Sequence, residues 1–192
     1  MTSNKSMAIQ NRIEWVDAAR GICIFFVIMC HFGADGNIFY PYYRYFFLTL
    51  FFFLSGYVTK TKDVVPFIKT QLKSLLIPYI CLSIILIILS PTFISSIMHN
   101  TLSKYLNEQL LSLINGDKLW FISCLFVVQI EYFVLNKFVF QKCRAAVQIT
   151  CAILLIFTCF LITRETPSRL PWNVDTSVCM LGYFSMGGVL ND

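Results

Sequence analysis

An arginine and a histidine, Arg20 and His31, stand eleven residues apart inside an apolar run from Ile13 to Phe32. A histidine titrates near neutrality and is the natural group to take a proton from a hydroxyl, whereas an arginine keeps its charge and clamps anionic groups. In hydrocarbon both side chains are expensive. Ionisable residues within a membrane span therefore face a bundle interior or a wet cavity, and each marks a site. Eleven helical residues return to within about 20° of the starting direction, about 16 Å further along the axis. The pair shares one helix face at two depths. A second reading stays open for each residue: Arg20 snorkelling to the interface and pairing with Asp17, His31 hydrogen-bonded between helices.

Further along, Lys69 and Lys73 are spaced i and i+4 on one helical face, where two ammonium groups can hold phosphates or simply mark the cytoplasmic side. Ser55-Gly56 closes a run of phenylalanines and reads as a close-packing contact between helices ahead of a nucleophile. Trp120 opens an apolar run as an interfacial anchor that can also line a cavity. Glu131 lies near the far end of that run, at about the depth of Arg20. A buried carboxylate needs a partner, and two readings are open: pairing with Arg20, which draws the first and fourth helices together, or exposure at the cytoplasmic interface.

The elements that must position these residues are membrane helices. The chain is 57% hydrophobic, carries 19 Phe and is only 13% charged, against about 25% charged in soluble domains. A spanning helix needs roughly 20 apolar residues. The expected architecture is an all-α polytopic bundle with spans at 13–32, 38–58, 75–97, 119–136, 145–162 and 174–190. Nine basic residues fall on one set of alternating segments: Lys5, Arg12, Lys60, Lys62, Lys69, Lys73, Lys137, Lys142 and Arg144. Five fall on the other: Arg44, Lys104, Lys118, Arg164 and Arg169. Lys and Arg stay on the cytoplasmic side, so the N-terminus is expected there, in a multi-pass protein of the cytoplasmic membrane. Tyr40, Tyr42, Tyr43, Tyr45 and Trp172 then fall at the outer interface.

With a polar start and no small-residue cleavage site, the first run is expected to be a retained span and not a leader. The net charge of +5 is spread over loops, with no basic run dense enough for nucleic acid. The eight cysteines show no C-x-x-C or His-paired metal spacing and read as packing residues with free thiols, so no metal is expected. Between the third and fourth spans, Leu102, Tyr105, Leu106, Leu110, Leu111 and Ile114 predict a short amphipathic helix on the outer surface.

Four stretches in order carry a resemblance: Asp17-Ala-Ala-Arg20-Gly21 running to Cys30-His31-Phe32; Phe51-Phe52-Phe53-Leu54-Ser55-Gly56-Tyr57; Lys69-x3-Lys73 followed by Leu76-Ile77-Pro78-Tyr79; and Leu119-Trp120-Phe121-Ile122. Together they resemble the membrane-bound acyltransferase family 3, which includes bacterial sugar O-acetyltransferases. The resemblance implies transfer of an acyl group, acetyl above all, from cytosolic acyl-CoA to a hydroxyl of a cell-surface carbohydrate. In it His31 is the general base, Arg20 stands on the donor's path, and Lys69 and Lys73 take the place of arginines that contact the CoA phosphates. Lysines act there as point charges, not bidentate forks. No bound cofactor is implied beyond acetyl-CoA as donor substrate. Family members typically have more spans, so the chain is expected to be the N-terminal part of such a protein, without the acceptor-binding groups of later spans.

Another class remains in play. An Arg, a His and a Glu inside the membrane also suit a proton-coupled transporter or flippase, although no internal repeat joins the first and last three spans. An inert membrane interaction module is the third reading.

Overall fold

A computed structural model of the protein describes residues 13–31, 46–59, 63–162 and 170–190, with only the backbone at residues 30, 31, 159, 160 and 162. Tyr40, Tyr42, Tyr43, Arg44, Tyr45 and the first residues of the second expected span lie outside the described residues, as do Lys5, Arg12, Lys60, Lys62, Arg164 and Arg169. Among those described, every regular element is helical. The helices are α1 (Glu14–His31), α2 (Phe47–Tyr57), α3 (Val64–Gln71), α4 (Ile77–Leu89), α5 (Pro91–Met98), α6 (Leu102–Asn115), α7 (Trp120–Phe138), α8 (Ala145–Ile162) and α9 (Val174–Val189). The chain divides into two compact units: residues 1–60 with 183–192, and residues 61–182.

In the first unit α1 and α2 pack through aromatic side chains. Phe26 and Phe47 stack with centroids 4.2 Å apart, and Trp15 meets Tyr57 at 6.1 Å. The last turns of α9 join α2 through glycines. A Cβ on Gly56 would fall onto the carbonyl oxygen of Phe184, and one on Gly187 onto that of Phe53. Small residues let helix backbones approach closely, which is how helices associate where no hydrophobic effect drives them together.

The second unit departs from the expected third span. The segment 59–74, read as a cytoplasmic loop, is helical from Val64. Asp63 is extended (φ −61°, ψ 157°) and Pro66 falls in the first turn, where its missing N–H costs nothing. The helix then continues through a π-turn at Leu72–Leu76 into α4, giving 26 unbroken residues from Val64 to Leu89. Pro78 does not break it. The N–H of Ile77 reaches back five residues to the carbonyl of Leu72, and the wider turn absorbs one extra residue ahead of the proline. That extra residue also sets the register. Phe67, Gln71, Tyr79 and Ser83 are all buried although each four-residue step drifts about 40° around an α-helix; the π-turn takes the drift back. Ser90, held extended before Pro91, ends the span.

The amphipathic helix of 98–118 exists as α6 but is not a free surface element. It runs antiparallel along α4, with Tyr79 Oη donating to the Leu113 carbonyl (2.8 Å) and Tyr105 Oη to that of Ile87 (3.0 Å). Two buried tyrosines thus fix its line, while Leu106, Leu110, Leu111 and Ile114 stay exposed on the other side. Gly116, at φ 82°, closes α6. Its own N–H bonds the Leu113 carbonyl and the Asp117 N–H that of Ser112, the left-handed cap that glycine adopts without strain.

Two stretches, Val64–Leu89 and Leu102–Lys142, are long and apolar enough to cross a membrane; Phe47–Tyr57 and Ala145–Thr158 are shorter apolar helices. Large apolar side chains lie exposed along α4, among them Ile77, Ile80, Ile84, Ile85, Ile88 and Leu89, a surface suited to lipid and not to water. The expectation of free thiols fails at Cys179, which is disulfide-bonded. Spacing alone does not show which sulfurs meet. Cys23, Cys81, Cys124, Cys143 and Cys151 are free.

Candidate functional site

Arg20 sits on the second turn of α1, half-buried. Its Nη1 is 3.8 Å from Asp17 Oδ1, one turn earlier, and its guanidinium carbon stands 5.2 Å above the centre of the Phe51 ring of α2. The aromatic face holds the flat cation and Asp17 offsets part of its charge. Its Nε is buried with no hydrogen-bond partner among the described residues. The side chain is therefore fixed at its stem and has donor capacity left over. His31 is the last residue of α1. Its position is set by the helix, eleven residues and about 16 Å beyond Arg20, while its side chain lies outside the described atoms.

Ser55 and Gly56 lie on the face of α2 that meets α9. Gly56 abuts the Phe184 backbone, and Ser55 is buried with no hydrogen-bond partner for its hydroxyl among the described residues, as is Ser185 of α9. Among the described residues neither serine has a base within hydrogen-bond reach. The stretch serves close approach.

In the second unit, Lys69 on α3 and Lys73 in the π-turn are both exposed. Trp120 opens α7 half-buried, edge-on to Phe121. At the same end of α7, the Ser123 hydroxyl lies 2.8 Å from the Gly116 carbonyl and 2.9 Å from that of Trp120. Asn173 Nδ2 donates to the Ser123 hydroxyl at 3.3 Å. Trp172, expected as an interfacial anchor, instead packs between the rings of Tyr79 and Phe126, 5.8 Å from each, with its backbone in the left-handed region at φ 60°.

Glu131 has a neighbour that the charge pattern did not reveal. Its Oε1 lies 2.9 Å from the hydroxyl of Ser177 on α9, a fully buried serine. Its Oε2 is buried without a partner among the described residues, as is Asp175 Oδ1. Arg20 and Glu131 belong to different units, and each has its own partner there. Sequence reasoning also passed over Gln71, Gln129 and Asn136, polar residues inside apolar runs. Gln71 Nε2 donates to Gln129 Oε1 between α3 and α7, and Asn136 Nδ2 to Tyr132 Oη at 3.3 Å. The signal that singled out Arg20, a polar group where lipid forbids it, was present at all three, but without a charge to raise it. Among the described residues no three His, Cys, Asp or Glu side chains converge as a metal site.

A family model described as an acyltransferase domain, of acyltransferase family 3, matches residues 13–192. No curated protein and no solved structure matches the chain. The match begins at the first residue of the Arg20 run and includes all four stretches singled out from the sequence, so this chain belongs to acyltransferase family 3.

Proposed function

We propose that the protein is a membrane O-acyltransferase that moves an acetyl group from cytosolic acetyl-CoA to a hydroxyl of a cell-surface carbohydrate or its precursor. The observation that carries this reading is the single helix α1, which bears Arg20, with donor capacity to spare, eleven residues before His31. His31 takes the proton of the acceptor hydroxyl as its oxygen attacks the thioester carbonyl. The carbon–sulfur bond then breaks, and the CoA thiolate leaves with that proton, giving an ester and free CoA. Arg20 steadies the anionic donor and the charge developing on its way to the base. Lys69 and Lys73, exposed on the α3 side, suit the nucleotide phosphates.

In this reading the N-terminus is cytoplasmic, supported by the nine-to-five bias of basic residues. The shorter helices complete a polytopic bundle in the cytoplasmic membrane, and the acceptor subsite draws on residues beyond those named. The test is transfer of radiolabel from acetyl-CoA by membranes that contain the protein. The His31→Ala variant should lose transfer by 10²-fold or more while accumulating to the same level. Undiminished transfer by that variant removes the base assignment, and no acetyl-CoA consumption by the unsubstituted protein removes the whole reading.

A further inference from the structure

In the first unit α1 and α2 run antiparallel and meet ring to ring at two levels, Trp15 on Tyr57 and Phe26 on Phe47, with centroids 6.1 Å and 4.2 Å apart. Between those levels the seam changes character. There Arg20 of α1 faces Phe51 of α2, so that a guanidinium stands where the rungs on either side carry an aromatic ring. A half-buried cation costs desolvation that an apolar side chain at the same place does not. Packing of the two helices therefore gives no reason for an arginine at the middle rung, and a role outside packing does.

Two groups touch the Arg20 cation, and their surroundings decide which of them holds it. The Asp17 carboxylate is 3.8 Å away, and the two side chains are 29% and 32% exposed. An ion pair so open is screened and holds its partners weakly. Phe51 is only 2% exposed, and its ring centre lies 5.2 Å from the guanidinium carbon. A ring face attracts a cation at that distance, and more strongly the drier the contact. The ring is itself held in place. The fully buried Phe52 meets it edge-on, with centroids 6.1 Å apart and planes at 87°. A ring face draws on the charge of the guanidinium as a whole and not on an N–H aimed at an acceptor, and Arg20 Nε has no hydrogen-bond partner among the described residues. The cation is thus placed while donor capacity remains.

We infer that Phe51 is the positioning residue of Arg20: its face holds the guanidinium where it meets the anionic acyl donor. This rests on the donor role proposed for Arg20 and adds the residue through which α2 takes part in it. Phe51 touches no reacting atom and acts through Arg20 alone.

The experiment replaces Phe51 in the full chain by mono-, di- and trifluorinated phenylalanine, introduced by nonsense suppression. Fluorine scarcely changes the size of the ring and weakens its negative face step by step. Phe51→Leu removes the ring and with it the packing of α1 on α2, so the fluorinated series carries the test. The readout is kcat/KM for radiolabelled acetyl-CoA in membranes containing equal amounts of each protein. It should fall stepwise along the series, to about fivefold below the unsubstituted protein at the trifluorinated ring, roughly one cation–π contact's worth. In the Arg20→Ala background the same series should be flat. A flat series with Arg20 present overturns the inference and leaves acetyl transfer standing. An equal fall with and without Arg20 also overturns it, since the ring would then act through packing. No transfer by the unsubstituted protein overturns both the inference and the reading on which it rests.

Discussion

Gly56 of α2 lies against the backbone of Phe184 of α9 with no room for a side chain, since a Cβ there would fall onto the Phe184 carbonyl oxygen. The obstructing atom is backbone on a packed helix and cannot swing aside. Gly56→Ala should therefore cost at least about 2 kcal/mol, in the range of overpacked cores, read as a lowered melting temperature in detergent. Gly21 on α1 has nothing within 4 Å of its would-be Cβ among the described residues. Gly21→Ala should be neutral or gain up to about 1 kcal/mol from helix propensity. Equal effects of the two substitutions would contradict the packing described.

Arg20 is held by Asp17 and by the face of Phe51. Lysine keeps the charge but not the flat fork, so Arg20→Lys should retain part of the activity and Arg20→Ala much less. The expected order is about tenfold loss for lysine and about a hundredfold for alanine in acetyl transfer, the latter approaching the loss of a transition-state donor. Protein accumulation in the membrane should be unchanged. Equal activity of the two variants would show that only packing matters at this position.

The Ser177 hydroxyl meets Glu131 Oε1 at 2.9 Å, and the other carboxyl oxygen is buried without a partner among the described residues. Ser177→Ala leaves the whole carboxyl unmet and should destabilise by about 1–3 kcal/mol. Glu131→Gln keeps an acceptor for the serine and should be milder. A double-mutant cycle with Glu131→Leu should return a coupling above about 0.5 kcal/mol, measured by thermal melting. A coupling of zero would mean that the two groups do not interact.

Asn173 carries φ 54°, in the left-handed region, and its side chain reaches the Gly116 carbonyl and the Ser123 hydroxyl. Asn173→Gly keeps the backbone and loses the bonds, at about 1 kcal/mol. Asn173→Val loses the bonds and adds a left-handed penalty of about 1–2 kcal/mol. The ranking in a melting experiment separates backbone strain from lost hydrogen bonding.

How much of this was legible beforehand differs by residue. Arg20, its helix and its Asp17 partner follow from local rules: apolar length gives the helix, and the i, i+3 spacing gives the pair. The starts of α1, α7, α8 and α9 fall close to the expected spans because each begins where an apolar run begins. The third span misled because lysines and Pro78 looked like a loop and a start. A π-turn, stabilised by burial of Gln71 and Tyr79 on one face, lets the helix pass through both.

The sequence by itself determined the class of the protein, the starts of α1, α7, α8 and α9 and the order of its charged residues, because hydropathy, helical period and the cost of charge in lipid act within one segment. Only the tertiary structure decided the rest: that Glu131 meets Ser177, that α6 lies along α4, that Gly56 meets Phe184, and that Phe51 faces Arg20. Each of those depends on which residue of another helix, up to 128 positions away in the case of Gly56 and Phe184, arrives opposite. A side chain's own chemistry states what partner it needs, and the packing of the helices states which one it gets.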